Sequence, residues 1–113
     1  MRAGLEEALD MFRVWQSDRA LLRCDFLLTK FAACLRARVI DVSDDNKVRL
    51  LSDDGFSEAV LPLSAELDFE YADSRDFPDE AALFSRGLVV FFPAPSKPDP
   101  DKVLFLEVID PPT

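Results

Sequence analysis

The side chains able to do chemistry in this chain are carboxylates, arginines and two thiols, because its 113 residues include no histidine. Imidazole general bases, histidine-dependent nucleophile triads and histidine-containing zinc sites therefore have nothing to build on within one chain. Several aspartates fall in pairs, at Asp44 and Asp45, Asp53 and Asp54, and Asp99 and Asp101. Hard cations take several such oxygens from one loop. An EF-hand, however, needs acids at alternate positions, glycine at the sixth and glutamate at the twelfth, and neither Asp41 nor Asp44 starts such a series. These aspartates read as turn residues, and no metal or cofactor is expected. Glu58, Glu66, Glu70 and Glu107 are general-acid candidates if a pocket raises one of their pKa values. No nucleophile, phosphate loop or metal cluster accompanies them, so the chain reads as a non-enzyme with no catalytic residue.

The thiols, Cys24 and Cys34, are ten residues apart, too far for a redox CxxC pair and too few for a four-thiolate zinc site. They read as reduced core residues. No apolar run approaches the roughly 18 residues of a membrane span, and the first ten residues carry two glutamates where a signal peptide needs a basic head. A cytoplasmic location is expected. The formal charge of −9 is unevenly spread: residues 1–40 hold seven basic and five acidic side chains, residues 41–113 six and seventeen. Such a surface repels phosphate backbones and anionic lipid unless Arg13, Arg19, Arg23, Arg36 and Arg38 gather on one face. The same arginines are able to meet the acidic half of a neighbouring copy head to tail.

These residues must be positioned by one domain, residues 1–113. Leu5, Ala8, Leu9, Phe12 and Trp15 recur at helical spacing opposite Glu6, Glu7, Asp10 and Arg13, which predicts an amphipathic helix over residues 5–16. Residues 19–28 fit a helix or a strand. Residues 31–42 read as a bent strand, followed by the turn Ser43-Asp44-Asp45-Asn46, a strand over 47–52, the hairpin turn Asp53-Asp54-Gly55 and a strand over 56–63. Leu67, Phe69 and Tyr71 alternate with acids in a fourth strand. Asp76, Pro78 and Gly87 bracket a short helix over 77–85. Two buried strands, 88–92 and 103–109, end the domain, joined by a proline-rich loop. Phe69 and Phe91 are expected in the core, where truncation to alanine costs about 3–5 kcal/mol. The fold class is α+β: an N-terminal helix, then a bent antiparallel meander or a small, partly open barrel, with a short helix before the last two strands.

With ten phenylalanines, an apolar strip near Trp15 or around Phe91 and Phe92 is expected to serve assembly, with Arg36 and Arg38 beside it. The stretch Leu35 to Leu50, with Val39 and Val42 at apolar positions and Asn46 in its loop, is similar to the first motif of the Sm-like (Hfq and LSm) family. Ser85-Arg86-Gly87-Leu88 resembles the Arg-Gly of its second motif. Ala37 stands where that family usually has glycine, and Ser43 where it has aspartate. The resemblance covers about thirty residues and implies an SH3-like barrel, ring assembly through strand edges, and RNA contacts by Asn46 and Arg86. The residues themselves point first to a small acidic interaction module that self-associates or docks to a protein. An Sm-like RNA binder with a local arginine face and a small-ligand-binding domain are the alternatives.

Overall fold

The computed structural model describes residues 2–28, 31–73, 84–92 and 101–108. They form β1 (Arg2–Ala3), α1 (Leu5–Asp18), β2 (Leu22–Leu28), β3 (Phe31–Val42), β4 (Lys47–Ser52), β5 (Glu58–Pro62), β6 (Asp68–Asp73), β7 (Phe84–Phe92) and β8 (Asp101–Val108). All eight strands join one antiparallel sheet in the order β1-β6-β7-β8-β2-β3-β4-β5. The architecture is α+β, and the sheet is open, with β1 at one end and β5 at the other.

The helix begins where Glu7 Oε2 accepts the Gly4 N–H at 3.0 Å, with Glu6 and Glu7 against the positive end of its dipole. Ala8, Leu9, Phe12 and Trp15 form its buried stripe. It ends at Arg19, whose φ of 54° is left-handed and turns the chain out of the helix. That turn decides the ambiguous stretch after it: Leu22 and Cys24 are buried, Arg23 and Asp25 only half so, and residues 22–28 are strand.

Strand register sorts the sheet into two faces. One carries Leu22, Cys24, Ala37, Val39, Leu88, Val90, Val103 and Phe105, and packs on the helix stripe. The other carries Arg23, Asp25, Cys34, Arg36 and Arg38, and no helix covers it among the described residues. The bend in β3 is a bulge between Val39 and Asp41, where Gln16 Nε2 of the helix donates to the Ile40 carbonyl at 3.0 Å.

Several expectations change. The pairing of β1 with β6, held also by an Arg2–Asp68 ion pair at 3.0 Å, is new, since a two-residue strand carries no readable period. Residues 77–83 of the expected short helix lie outside the described residues, whereas Phe84 and Ser85 belong to β7. Gly87 is not a helix stop: it lies inside β7, buried, against the Phe105 carbonyl. Phe69 is core, but Phe91 sits at the opposite parity to the buried Val90 and is half-buried on the other face. Cys24 is buried as expected and Cys34 is exposed, because Cys34 pairs with Asp25 on the uncovered face. The two thiols point to opposite sides of the sheet, so an intrachain disulfide is ruled out by geometry.

Candidate functional site

The helix and the middle of the sheet are joined by a polar chain. Glu107 on β8 accepts from Trp15 Nε1 at 3.1 Å and from Arg86 Nε at 2.6 Å. Arg86 also lies 3.9 Å from Asp18 at the end of α1. A register shift in β7 between Phe84 and Gly87 sets Arg86 into this position. The indole N–H, an obligate donor once buried, is thus satisfied by a carboxylate whose charge is met by the guanidinium. Arg86 is committed to two acids, and three strands (β8, β2 and β3) stand between its strand and β4, before which Asn46 lies.

Asn46 has a left-handed φ of 64° and closes the β3–β4 turn. Its N–H donates to the Ser43 carbonyl at 3.1 Å, and its own carbonyl accepts from Leu63 N–H at 2.9 Å. The paired aspartates of both turns are turn-formers. Asp45 accepts from the Ser43 hydroxyl and pairs with Lys47 at 3.2 Å. Asp54 accepts from the Ser52 hydroxyl at 2.5 Å and from Phe56 N–H at 3.0 Å. Those bonds, the serine hydroxyls first, hold both carboxyls below the usual aspartate value. Among the described residues no three acids or thiols converge as a metal site would require.

The remaining chemistry collects on the uncovered face of β2, β3 and β4. Arg23, Arg36, Arg38 and Arg49 share it. Arg23 pairs with Asp25 at 3.3 Å, Arg38 with Asp53 at 2.7 Å and Arg49 with Glu58 at 3.1 Å. Toward the end of the β2–β3 pair, Arg23, Asp25, Leu27, Ala32, Ala33 and Cys34 line a shallow, open depression of about 390 Å³. The Asp25 carboxylate accepts the Cys34 S–H hydrogen bond, and that bond, ahead of partial burial, raises this thiol above its ordinary value. Cys24, deep under the helix, is pushed up to about 12 by burial. Both cysteines are therefore poor nucleophiles at neutral pH.

This arrangement makes Asp25→Asn a sensitive probe. Removing the carboxylate takes away what favours the protonated thiol and leaves Arg23 to favour the thiolate, so the Cys34 pKa falls. Each unit of fall raises the reactive fraction about tenfold below the pKa. Iodoacetamide labelling followed across pH should show Cys34 reacting faster in the variant and Cys24 unreactive in both proteins. Equal Cys34 rates would show that the carboxylate does not control the thiol.

Beyond the depression the β2–β3 pair ends in apolar side chains. Leu27, Leu28 and Phe31 are 42%, 39% and 61% exposed. They occupy both faces, Leu27 on one, Leu28 and Phe31 on the other. Of the residues read from sequence as an assembly surface, Arg36 and Arg38 are exposed. Trp15 is fully buried under the sheet and offers no surface. Phe92 packs on the core and Phe91 is half-buried. The apolar hairpin end was missed, although FLL followed by FAACL across a two-residue connection is visible in the sequence. No helix among the described residues is long and apolar enough to cross a membrane. Comparison of the chain with protein-family models, with curated proteins and with solved structures gives no match.

Proposed function

We propose that this chain is a small, non-catalytic interaction module that works by self-association. The observation that carries the reading is the apolar end of β2 and β3, where Leu27, Leu28 and Phe31 stand exposed together on one strand pair. Leu28 and Phe31 are cross-strand partners on one face and Leu27 adds an exposed side chain on the other, so both sides of this strand end offer apolar surface of the kind that serves association. The titratable groups support the same reading: Glu107, Asp25, Asp53 and Glu58 are each engaged by an arginine rather than held in an apolar pocket. Size-exclusion chromatography with light scattering, run at low and high salt, tests it. A mass above that of one chain, retained at high salt as apolar contacts require, is the expected result. A strict monomer at high concentration would remove the reading.

One observation favours a second reading, an Sm-like single-stranded RNA binder: four arginines lie on one face of β2 to β4. Three of them are already paired with carboxylates, which lowers the field they present. Filter binding of short single-stranded RNA at low salt decides it, and absence of retention ends it.

A further inference from the structure

Strand lengths leave part of the sheet without a neighbour among the described residues. β3 has twelve residues and β4 six, because the Asp53-Asp54-Gly55 turn ends β4 early. β4 pairs with β3 from Ala37 to Val42, and the Asp53 N–H bond to the Arg36 carbonyl, 2.8 Å, is the last contact on that side. Over residues 31–35, β3 therefore pairs only with β2 among the described residues. Backbone groups of an antiparallel strand alternate in direction. Since Arg36 bonds toward β4, Cys34 and Ala32 present their N–H and C=O groups to the same open side, while Phe31, Ala33 and Leu35 bond to β2.

Natural sheets guard such edges with charge, proline, bulges or extreme shortness. The two ends of this sheet are guarded: β1 has two residues, and β5 carries Glu58 and Pro62. The inner edge has no such guard among the described residues. Its five residues, Phe31-Ala32-Ala33-Cys34-Leu35, contain no charge and no proline, and Phe31 and Cys34 are exposed.

We propose that this open edge is where the protein self-associates, and that its occupant is the same segment of a second copy, paired antiparallel about a two-fold axis at Ala33. The proposal rests on the interaction-module reading and narrows it to one surface. In that register Ala32 of each copy lies opposite Cys34 of the other, so every outward N–H and C=O of the segment finds a partner. Phe31 lies over Leu35 of the second copy on the helix-bearing face. Ala33 meets Ala33 as a non-hydrogen-bonded pair, whose Cα atoms approach to about 4.5 Å and suit a small side chain. The charges agree with a second copy. The facing segments carry no charged side chain, so two chains of net charge −9 can meet there without placing acid directly opposite acid.

Two variants test it. Cys34→Pro removes an outward N–H that the monomer does not use. Ala33→Cys combined with Cys34→Ser places a thiol at the axis, within the roughly 4.4–6.8 Å Cα range of a disulfide. Light scattering should halve the mass of Cys34→Pro at a concentration where the parent is a dimer, with the far-ultraviolet circular dichroism unchanged. The Ala33→Cys, Cys34→Ser double variant should form a disulfide-linked dimer under oxidised glutathione. If the parent associates while a folded Cys34→Pro protein associates equally, or the double variant does not cross-link, the edge is not the interface and the broader reading stands. A parent that never associates overturns both. Should the proline variant fail to fold, the cross-link alone decides.

Discussion

Phe12→Ala is expected to destabilise the protein by about 3–5 kcal/mol, the range for truncating a buried aromatic. Phe12 is fully buried. Its ring meets Trp15 edge-on at 5.5 Å and 73°, and Phe105 at 5.0 Å and 89°, so it ties two turns of the helix to the centre of β8. Its removal leaves a cavity under Trp15 whose walls are strand side chains unable to collapse inward without breaking sheet register. Urea unfolding followed by the fluorescence of Trp15, the only tryptophan, measures the loss. Phe12→Leu, which keeps most of the volume, should lose less than half as much. A loss below about 1 kcal/mol for the alanine variant would mean that the helix is not seated on the sheet as described.

Gly87→Ala should be nearly as damaging, although it adds one methyl group. A Cβ at this position would lie 2.5 Å from the Phe105 carbonyl oxygen and 2.7 Å from Leu106 Cδ2. The leucine can rotate away, but the carbonyl belongs to the adjacent strand and moves only with it. The β7–β8 pair must then separate locally, next to the register shift that places Arg86. A cost of about 3 kcal/mol, the upper part of the overpacking range, corresponds to a fall in Tm of at least about 10 °C for a domain of this size. Gly55 is the useful contrast. It has a left-handed φ of 78° and open space around it, so Gly55→Ala costs only the backbone preference, about 1 kcal/mol. Equal melting temperatures for the two alanine variants would contradict the packing at Gly87.

The elements that could be read from the sequence were those with a clean period and a punctuated end. The α1 stripe, the Asp53–Gly55 turn and the alternation through Phe69 and Tyr71 each carry their own signal, and the structure has them at those positions. Residues 88–92 show why other features could not be read: Leu-Val-Val-Phe-Phe is apolar throughout, so nothing local says that Phe92 faces the helix and Phe91 does not. The pairing of β7 with β8, and of β8 with β2, decides it, and that pairing is a property of the whole sheet. Cys34 is a similar case, its exposure set by the register against Asp25. Gly87 resembles a helix terminator in sequence because close backbone approach and helix termination both select glycine. The open edge of β3 followed from neighbours of twelve and six residues, a difference legible only once their register was known.

The position of β8 between β7 and β2 makes assembly order matter. The last strand of the described chain is the one that unites β1, β6 and β7 with β2 to β5, and its contacts reach back across the sequence, as from Glu107 to Trp15. During synthesis on the ribosome the two sub-sheets must wait, each with a raw flank, until this staple emerges. Long-range closure of that kind slows folding, so nascent or C-terminally clipped chains become the species that chaperones and proteases encounter.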